Sequence, residues 1–137
     1  MDLIVEQHAH ARLITAEDRE LPVSATLRYT ADDPLAVFVD FPPEATLVGD
    51  EVTWTFARSL LEQGLRAPAG HGDVRIWPHG RGRTVLEFHS PSGLALVQFP
   101  TSALRRFLLD SHALVPAGQE DLAAVVERGL SSLFDGV

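Results

Sequence analysis

Two histidines near the start of the chain have the spacing that most directly suggests a metal site. His8 and His10 are two positions apart, so both imidazoles point to one face if the segment is a strand, and Glu6 adds a carboxylate to that face. A metal ion needs a third and usually a fourth ligand. The same residues are also common on a solvent-facing strand, which is the interpretation we favour. A metal-assisted enzyme using these three side chains is the alternative.

Nucleophilic and phosphate-binding chemistry have only weak sequence signals. Residues 90–93 (SPSG) join two predicted strands, whereas an activated serine needs a strand-to-helix turn. Residues 70–73 (GHGD) contain small residues typical of an anion-binding loop, but they precede a strand and include no lysine. The chain has no Lys and no Cys, which excludes Schiff-base lysines, thiolate nucleophiles and disulfides. We therefore predict a protein that is not an enzyme and uses no cofactor.

One predicted hairpin combines cations with an aromatic ring. Its residues of interest are Arg75, Trp77, His79, Arg81 and Arg83. This composition suits single-stranded nucleic acid, and it also suits a protein interface, where Trp and Arg are favoured anchors. A hairpin with solvated arginines and one tryptophan half in the core is the competing interpretation. The net charge of −8, from 11 basic and 19 acidic residues, disfavours phosphate backbones. We predict that Trp77, His79, Arg81 and Arg83 bind a protein partner, with nucleic acid as the less favoured ligand.

A second candidate contact lies between the last two predicted helices. Gly118 ends a tight Pro-Ala-Gly turn, and a side chain there would change how the last helix docks. Glu120 lies at the start of that helix, where an acidic side chain interacts favourably with the helix dipole. We predict that Gly118 and Glu120 contribute to partner binding. A plain helix break is the competing interpretation.

The elements that position these residues follow from the periodicity of the apolar residues. Alternation at period two predicts strands over residues 3–14, 23–30, 35–41, 51–56, 73–77, 84–89 and 94–99. A short helix is predicted over 57–63, with Gly64 in a left-handed conformation after its end. The next helix is predicted to be capped by Thr101 or Ser102. The last helix carries an apolar stripe over residues 122–134.

This order of elements predicts an α+β fold, with about seven strands in strongly bent antiparallel sheets and helices on one side. A length of 137 residues with 45% hydrophobic content suits one domain over residues 1–137. The longest apolar runs have five residues, too few to span a bilayer, and the start of the chain lacks a signal-peptide pattern, so we expect a cytoplasmic protein. The apolar stripes of the last two helices together exceed what one small sheet can cover, so we predict that the remaining apolar surface forms the interface of a homo-oligomer.

Blocks along nearly the whole chain resemble the SsgA-like proteins, which are sporulation and cell-division regulators of actinobacteria. The blocks are LPV at 21–23, LRY at 27–29, DPLAV at 33–37, WTFARSLL at 54–61, GL at 64–65, GDVRIWP at 72–78, SPSG at 90–93, FL at 107–108 and VPAGQE at 115–120. Their unbroken order makes the resemblance specific.

The resemblance implies a nonenzymatic protein at the division septum. Such a protein would mark the septum site, recruit the tubulin-like division protein FtsZ and work with an SsgA-type family partner. The resemblance also implies a Whirly-like fold and assembly into a homo-oligomer, a trimer. Because certain Whirly-like proteins bind single-stranded nucleic acid, a nucleic-acid-binding module is the alternative, although a fold by itself does not determine function.

Overall fold

The computed structural model of the protein describes residues 3–15, 19–45, 49–91 and 93–120. These residues form seven strands and two α-helices, together with a short 3₁₀ turn at Pro43–Ala45. The elements are β1 (Ile4–Ile14), β2 (Glu20–Thr30), β3 (Ala36–Phe41), β4 (Val52–Ala57), α1 (Arg58–Gly64), β5 (Val74–Pro78), β6 (Arg83–Ser90), β7 (Gly93–Pro100) and α2 (Thr101–Leu114). The predicted apolar stripe at 122–134 lies outside the described residues.

Alternation along each strand separates a buried face from an outer face. In β2, Ala25, Leu27 and Tyr29 are buried, whereas Thr26 and Arg28 between them lie on the other face. Period two in the sequence therefore predicts the side that faces the core. All seven predicted strands are confirmed, with boundaries that agree to within three residues.

The strands form one antiparallel sheet in the order β4-β3-β2-β1-β7-β6-β5. In a flat sheet β4 and β6 would be about 24 Å apart, because five strand spacings of about 4.8 Å separate them. Phe88 of β6 nevertheless contacts Trp54 of β4, with ring centroids 4.9 Å apart, and Phe41 of β3, with centroids 5.7 Å apart. The sheet is therefore curled into a half-barrel. The predicted α+β fold with a strongly bent antiparallel sheet is confirmed.

Helix α2 packs on the concave face of the half-barrel. Leu104 and Phe107 of α2 are fully buried, and the Gln7 side chain of β1 donates a hydrogen bond to the carbonyl of Ala103 (2.8 Å). Gln7 lies on the same face of β1 as the buried Ala9, which places the helix on the inner side of the sheet. No helix in the described part of the chain is long and apolar enough to cross a membrane.

The predicted side-chain cap of α2 is wrong. Pro100 is the N-cap residue, and no side chain makes a capping hydrogen bond there. Thr101 is the first helical residue, and its buried hydroxyl is hydrogen-bonded to the hydroxyl of Thr84 in β6 (2.8 Å). The hydroxyl is therefore used to join the start of α2 to the sheet.

The predicted conformation of Gly64 is also wrong. Gly64 is the last residue of α1, and the helix is followed by Leu65 in right-handed helical conformation with φ −72°. Glycine is needed at 64 for a close contact, because a Cβ atom there would lie 2.3 Å from Cγ2 of Ile76. The missing side chain lets α1 lie directly against the edge strand β5.

Candidate partner-binding site

Four of the predicted partner-binding residues lie together on the β5–β6 hairpin. Val74 and Ile76 of β5 are buried in the core, so the alternate residue Trp77 lies on the outer face of the sheet. Arg83 lies on the same outer face, two positions before the register partner of Trp77. His79 and Arg81 lie in the exposed turn. The hairpin predicted from the sequence is therefore confirmed, and these four side chains are neighbours.

Backbone hydrogen bonds fix the tip of this hairpin. The N–H of His79 donates to the carbonyl of Arg83 (2.9 Å), and the N–H of Thr101 donates to the carbonyl of Gly82 (2.9 Å). Gly80 and Gly82 have φ values of +64° and +78°, which favour glycine at both positions. The tip is thus a defined surface held against the start of α2.

The other two predicted residues, Gly118 and Glu120, lie beyond the opposite end of α2. The hairpin tip contacts the first residue of this 14-residue helix, which is about 21 Å long at about 1.5 Å per residue. Gly118 and Glu120 follow its last turn. The structure therefore does not bring the two predicted groups into one site.

A buried arginine holds Glu120 in place. Arg58, the first residue of α1, is 2% exposed, and its Nη2 donates to Oε1 of Glu120 (2.7 Å). Its Nη1 donates to the carbonyls of Ser111 (3.1 Å) and Val115 (2.8 Å). This guanidinium therefore joins α1 to the end of α2 and to the residues that follow it. The cluster formed by Arg58, Ser111, Val115 and Glu120 is called the arginine clamp below.

Tyr29 completes the surroundings of the clamp. Its ring lies under the guanidinium of Arg58, with 4.8 Å from Cζ to the ring centroid, and its hydroxyl donates to the carbonyl of Pro34 (2.8 Å). Burial raises the pKa of Tyr29, so the phenol stays protonated and able to donate. The hydrogen bond from Arg58 holds the pKa of Glu120 below its usual range, which keeps the carboxylate charged.

Gly118 has a conformational role in the turn after α2. Its φ is +85°, and the N–H of Gln119 donates to the carbonyl of Pro116 (3.1 Å), which closes a turn with a left-handed third residue. A Cβ atom at Gly118 would meet nothing within 4 Å. The requirement for glycine thus comes from the backbone angle and not from a close contact.

The histidines of β1 lie on the outer face of the sheet. Nδ1 of His8 is 3.0 Å from the hydroxyl of Thr26, and His10 is exposed opposite Ser24. Within the ranges that the structure describes, no group of three or more His, Asp or Glu side chains is arranged to hold a metal ion. The SPSG segment joins β6 to β7, as the sequence predicted.

A groove lies next to the hairpin, between α1, the loop that follows α1 and the outer face of β5 and β6. Its volume is about 900 Å³. Trp77 is the predicted partner-binding residue that lines it, and the charged side chains in its wall are Arg66, Arg75 and Glu87. Arg66 lies alone after α1, and no sequence pattern connects it to the hairpin.

Comparison with known proteins gives consistent matches along the chain. Residues 23–120 match the family described as "Streptomyces sporulation and cell division protein, SsgA". The sporulation-specific cell division protein SsgB of Streptomyces coelicolor is 40% identical over 137 residues, covering 98% of both chains. The SsgB protein of Frankia casuarinae is 45% identical over 128 residues, covering 91% of this chain and 87% of the relative.

Two solved structures have the same architecture. One, described as "Mutations in SsgB correlate to longitudinal cell division during sporulation of Streptomyces coelicolor", has a TM-score of 0.80 at 40% identity and covers 90% of this chain and 97% of its own. The other, the crystal structure of an SsgA-like sporulation-specific cell division protein from Thermobifida fusca, has a TM-score of 0.84 at 31% identity and covers 96% of both chains.

Proposed function

The chain belongs to the SsgA family of sporulation and cell division proteins, and we propose that it marks the site of the division septum and recruits the tubulin-like protein FtsZ there. The similarity to sporulation-specific cell division proteins over nearly the whole chain is the observation that carries this proposal. In this proposal the protein acts as an adaptor without catalysis, in the cytoplasm at the septum.

The hairpin tip is the proposed contact surface for FtsZ. Trp77 is half-buried on the outer face, which leaves part of its ring accessible, and Arg81 is exposed at the tip. In the part of the chain that the structure describes, Arg81 makes no ion pair, so its guanidinium is available to a partner. The guanidinium of Arg83 is less available to a partner, because its Nη1 donates a hydrogen bond to the Gln98 side chain (3.2 Å).

Gly118 and Glu120 are proposed to form a separate contact. Because the length of α2 separates these two residues from the hairpin tip, the two groups can bind different partners. We assign this second surface to an SsgA-type family partner or to another copy of the chain in a trimer. The ion pair with Arg58 holds the Glu120 side chain, which is 19% exposed.

Co-sedimentation with polymerised FtsZ from the same organism tests the proposal. We expect the wild-type protein to pellet with FtsZ polymers, and the Arg81→Glu variant to remain largely in the supernatant. Arg105→Glu is the matched control, because it makes the same charge change at an exposed position on α2. If Arg81→Glu and Arg105→Glu pelleted equally, the hairpin tip would not be part of the FtsZ interface. If the wild-type protein did not pellet with FtsZ polymers, direct recruitment would be contradicted.

A further inference from the structure

The groove beside α1 has the dimensions of a binding site. Its volume of about 900 Å³ lies within the range of roughly 300–1,000 Å³ that is typical of ligand pockets. The loop after α1, with Arg66 and Pro68, forms one wall, and Arg75 and Trp77 on the outer face of β5 form the other. Leu60 of α1 adds apolar surface.

The charged groups of the groove favour an anionic ligand. Arg66 and Arg75 are both exposed, and the Arg75 side chain is 56% exposed. Glu87 is the acidic residue in the lining, and its carboxylate is already 2.5 Å from Nε2 of His89 and 4.0 Å from Nε of Arg75. In the described residues Arg66 makes no ion pair. The groove is thus locally basic on a chain whose net charge is −8.

The backbone edge at the groove is not available for strand addition. Both the N–H and the carbonyl of Ile76 are hydrogen-bonded to Ala69 (3.0 and 2.9 Å), and Pro78 has no N–H. A ligand must therefore be recognised by side chains. Trp77 and the two arginines are the residue types that most often supply binding energy at protein interfaces.

We propose that this groove binds a short acidic peptide segment of a partner protein. Its carboxylates would pair with Arg66 and Arg75, and an aromatic or branched apolar side chain would pack on Trp77. Leu60 and Trp77 provide apolar surface beside the two arginines, so a peptide that carries both carboxylates and an apolar side chain matches the lining of the groove. The inference does not require that the partner be FtsZ.

Fluorescence anisotropy with a labelled synthetic peptide tests the inference. The probe is a short peptide rich in Asp and Glu with one Phe, and its counterpart carries Asn and Gln in place of the acidic residues. We expect saturable binding of the acidic probe alone, weakened about tenfold or more by Arg66→Glu and Arg75→Glu. The Arg105→Glu control keeps wild-type affinity, because that exposed residue lies on α2, away from the groove.

A second readout reports on the groove itself. The chain contains two tryptophans, so a Trp54→Phe variant leaves Trp77 as the sole tryptophan, and the acidic peptide is expected to shift its emission. Three results would overturn the proposal: no binding of the acidic probe, equal weakening in Arg66→Glu and Arg105→Glu, or tighter binding of adenosine monophosphate than of the peptide.

The same variants separate this inference from FtsZ recruitment. Loss of peptide binding in Arg66→Glu with normal FtsZ pelleting supports the groove as a site for another partner. Peptide binding that survives while Arg81→Glu abolishes FtsZ pelleting shows that the two surfaces act independently. Circular dichroism confirms that each variant is folded, which is expected because both groove arginines are exposed.

Discussion

Removing Arg58 is the perturbation that best tests how the helices are held together. Arg58→Ala deletes a guanidinium that is 2% exposed and that donates to two carbonyls and to Glu120. The substitution leaves the Val115 carbonyl without this donor and Glu120 without its ion-pair partner. It also leaves empty space above the ring of Tyr29.

The expected loss of stability is large. Removing one partner of a buried ion pair typically costs about 3–5 kcal/mol. Glu120 is 19% exposed and regains some hydration, which favours the lower end, about 3 kcal/mol. Since about 1 kcal/mol shifts the melting temperature by roughly 3–5 °C at this chain length, Arg58→Ala is expected to melt about 10 °C lower. Arg58→Lys keeps the positive charge but replaces the two donor nitrogens of the guanidinium with a single ammonium group, so we expect about half of that loss of stability.

Thermal unfolding followed by circular dichroism, at the same protein concentration for every variant, measures the effect. Glu120→Gln is the matched control, since its amide oxygen still accepts from Arg58, and its expected cost is about 1 kcal/mol. A melting temperature for Arg58→Ala within about 2 °C of wild type would refute the clamp, because it would mean a loss of less than about 1 kcal/mol.

Three further predictions concern backbone, packing and pH. Gly118→Ala is expected to lower the free energy of unfolding by about 1–2 kcal/mol because φ is +85°, and Gly118→Asn by less, which chemical denaturation of both variants measures. Gly64→Ala is expected to cost about 1–3 kcal/mol, since its Cβ would overlap Ile76, and a cost equal to that of alanine at the exposed Gly72 would contradict this packing. Hydrogen bonds from Arg28 and Arg58 hold the pKa values of Asp40 and Glu120 below their usual ranges. The stabilisation from these two ionised carboxylates is therefore complete above about pH 5 and is lost as the pH falls through about 4 and below. In Asp40→Asn and Glu120→Gln, the free energy of unfolding should consequently fall less between pH 5 and lower pH than it does in the wild type.

The strands could be predicted from the sequence because a half-buried strand carries its own signal. In β2 the alternation of Ala25, Leu27 and Tyr29 with polar residues is a local pattern, and the turn residues on each side set the limits. The β5–β6 hairpin follows from the same reasoning, with Gly80 and Gly82 at its tip. The sequence therefore predicts correctly that the four candidate partner-binding residues lie on one hairpin.

The arginine clamp and the groove could not be predicted, because their parts come from distant segments. Arg58 and Glu120 are separated by 62 positions, and only the curled sheet and α2 bring them together. The prediction for Gly64 is wrong for a related reason: the sequence shows a glycine at a helix end, but the contact with Ile76 that requires it is tertiary. The one local signal for Arg58 is its position where a strand meets a helix, as the single charged residue in the stretch 52–61.

The order of arrival at the septum in living cells tests the central proposal most directly. A fluorescent fusion of the protein and labelled FtsZ are followed together in the parent organism, with a deletion strain beside them. We expect the fusion to mark septum sites before FtsZ accumulates there, and FtsZ to fail to assemble at those sites in the deletion strain. FtsZ that assembles at its normal sites and times without the protein would contradict the proposed role.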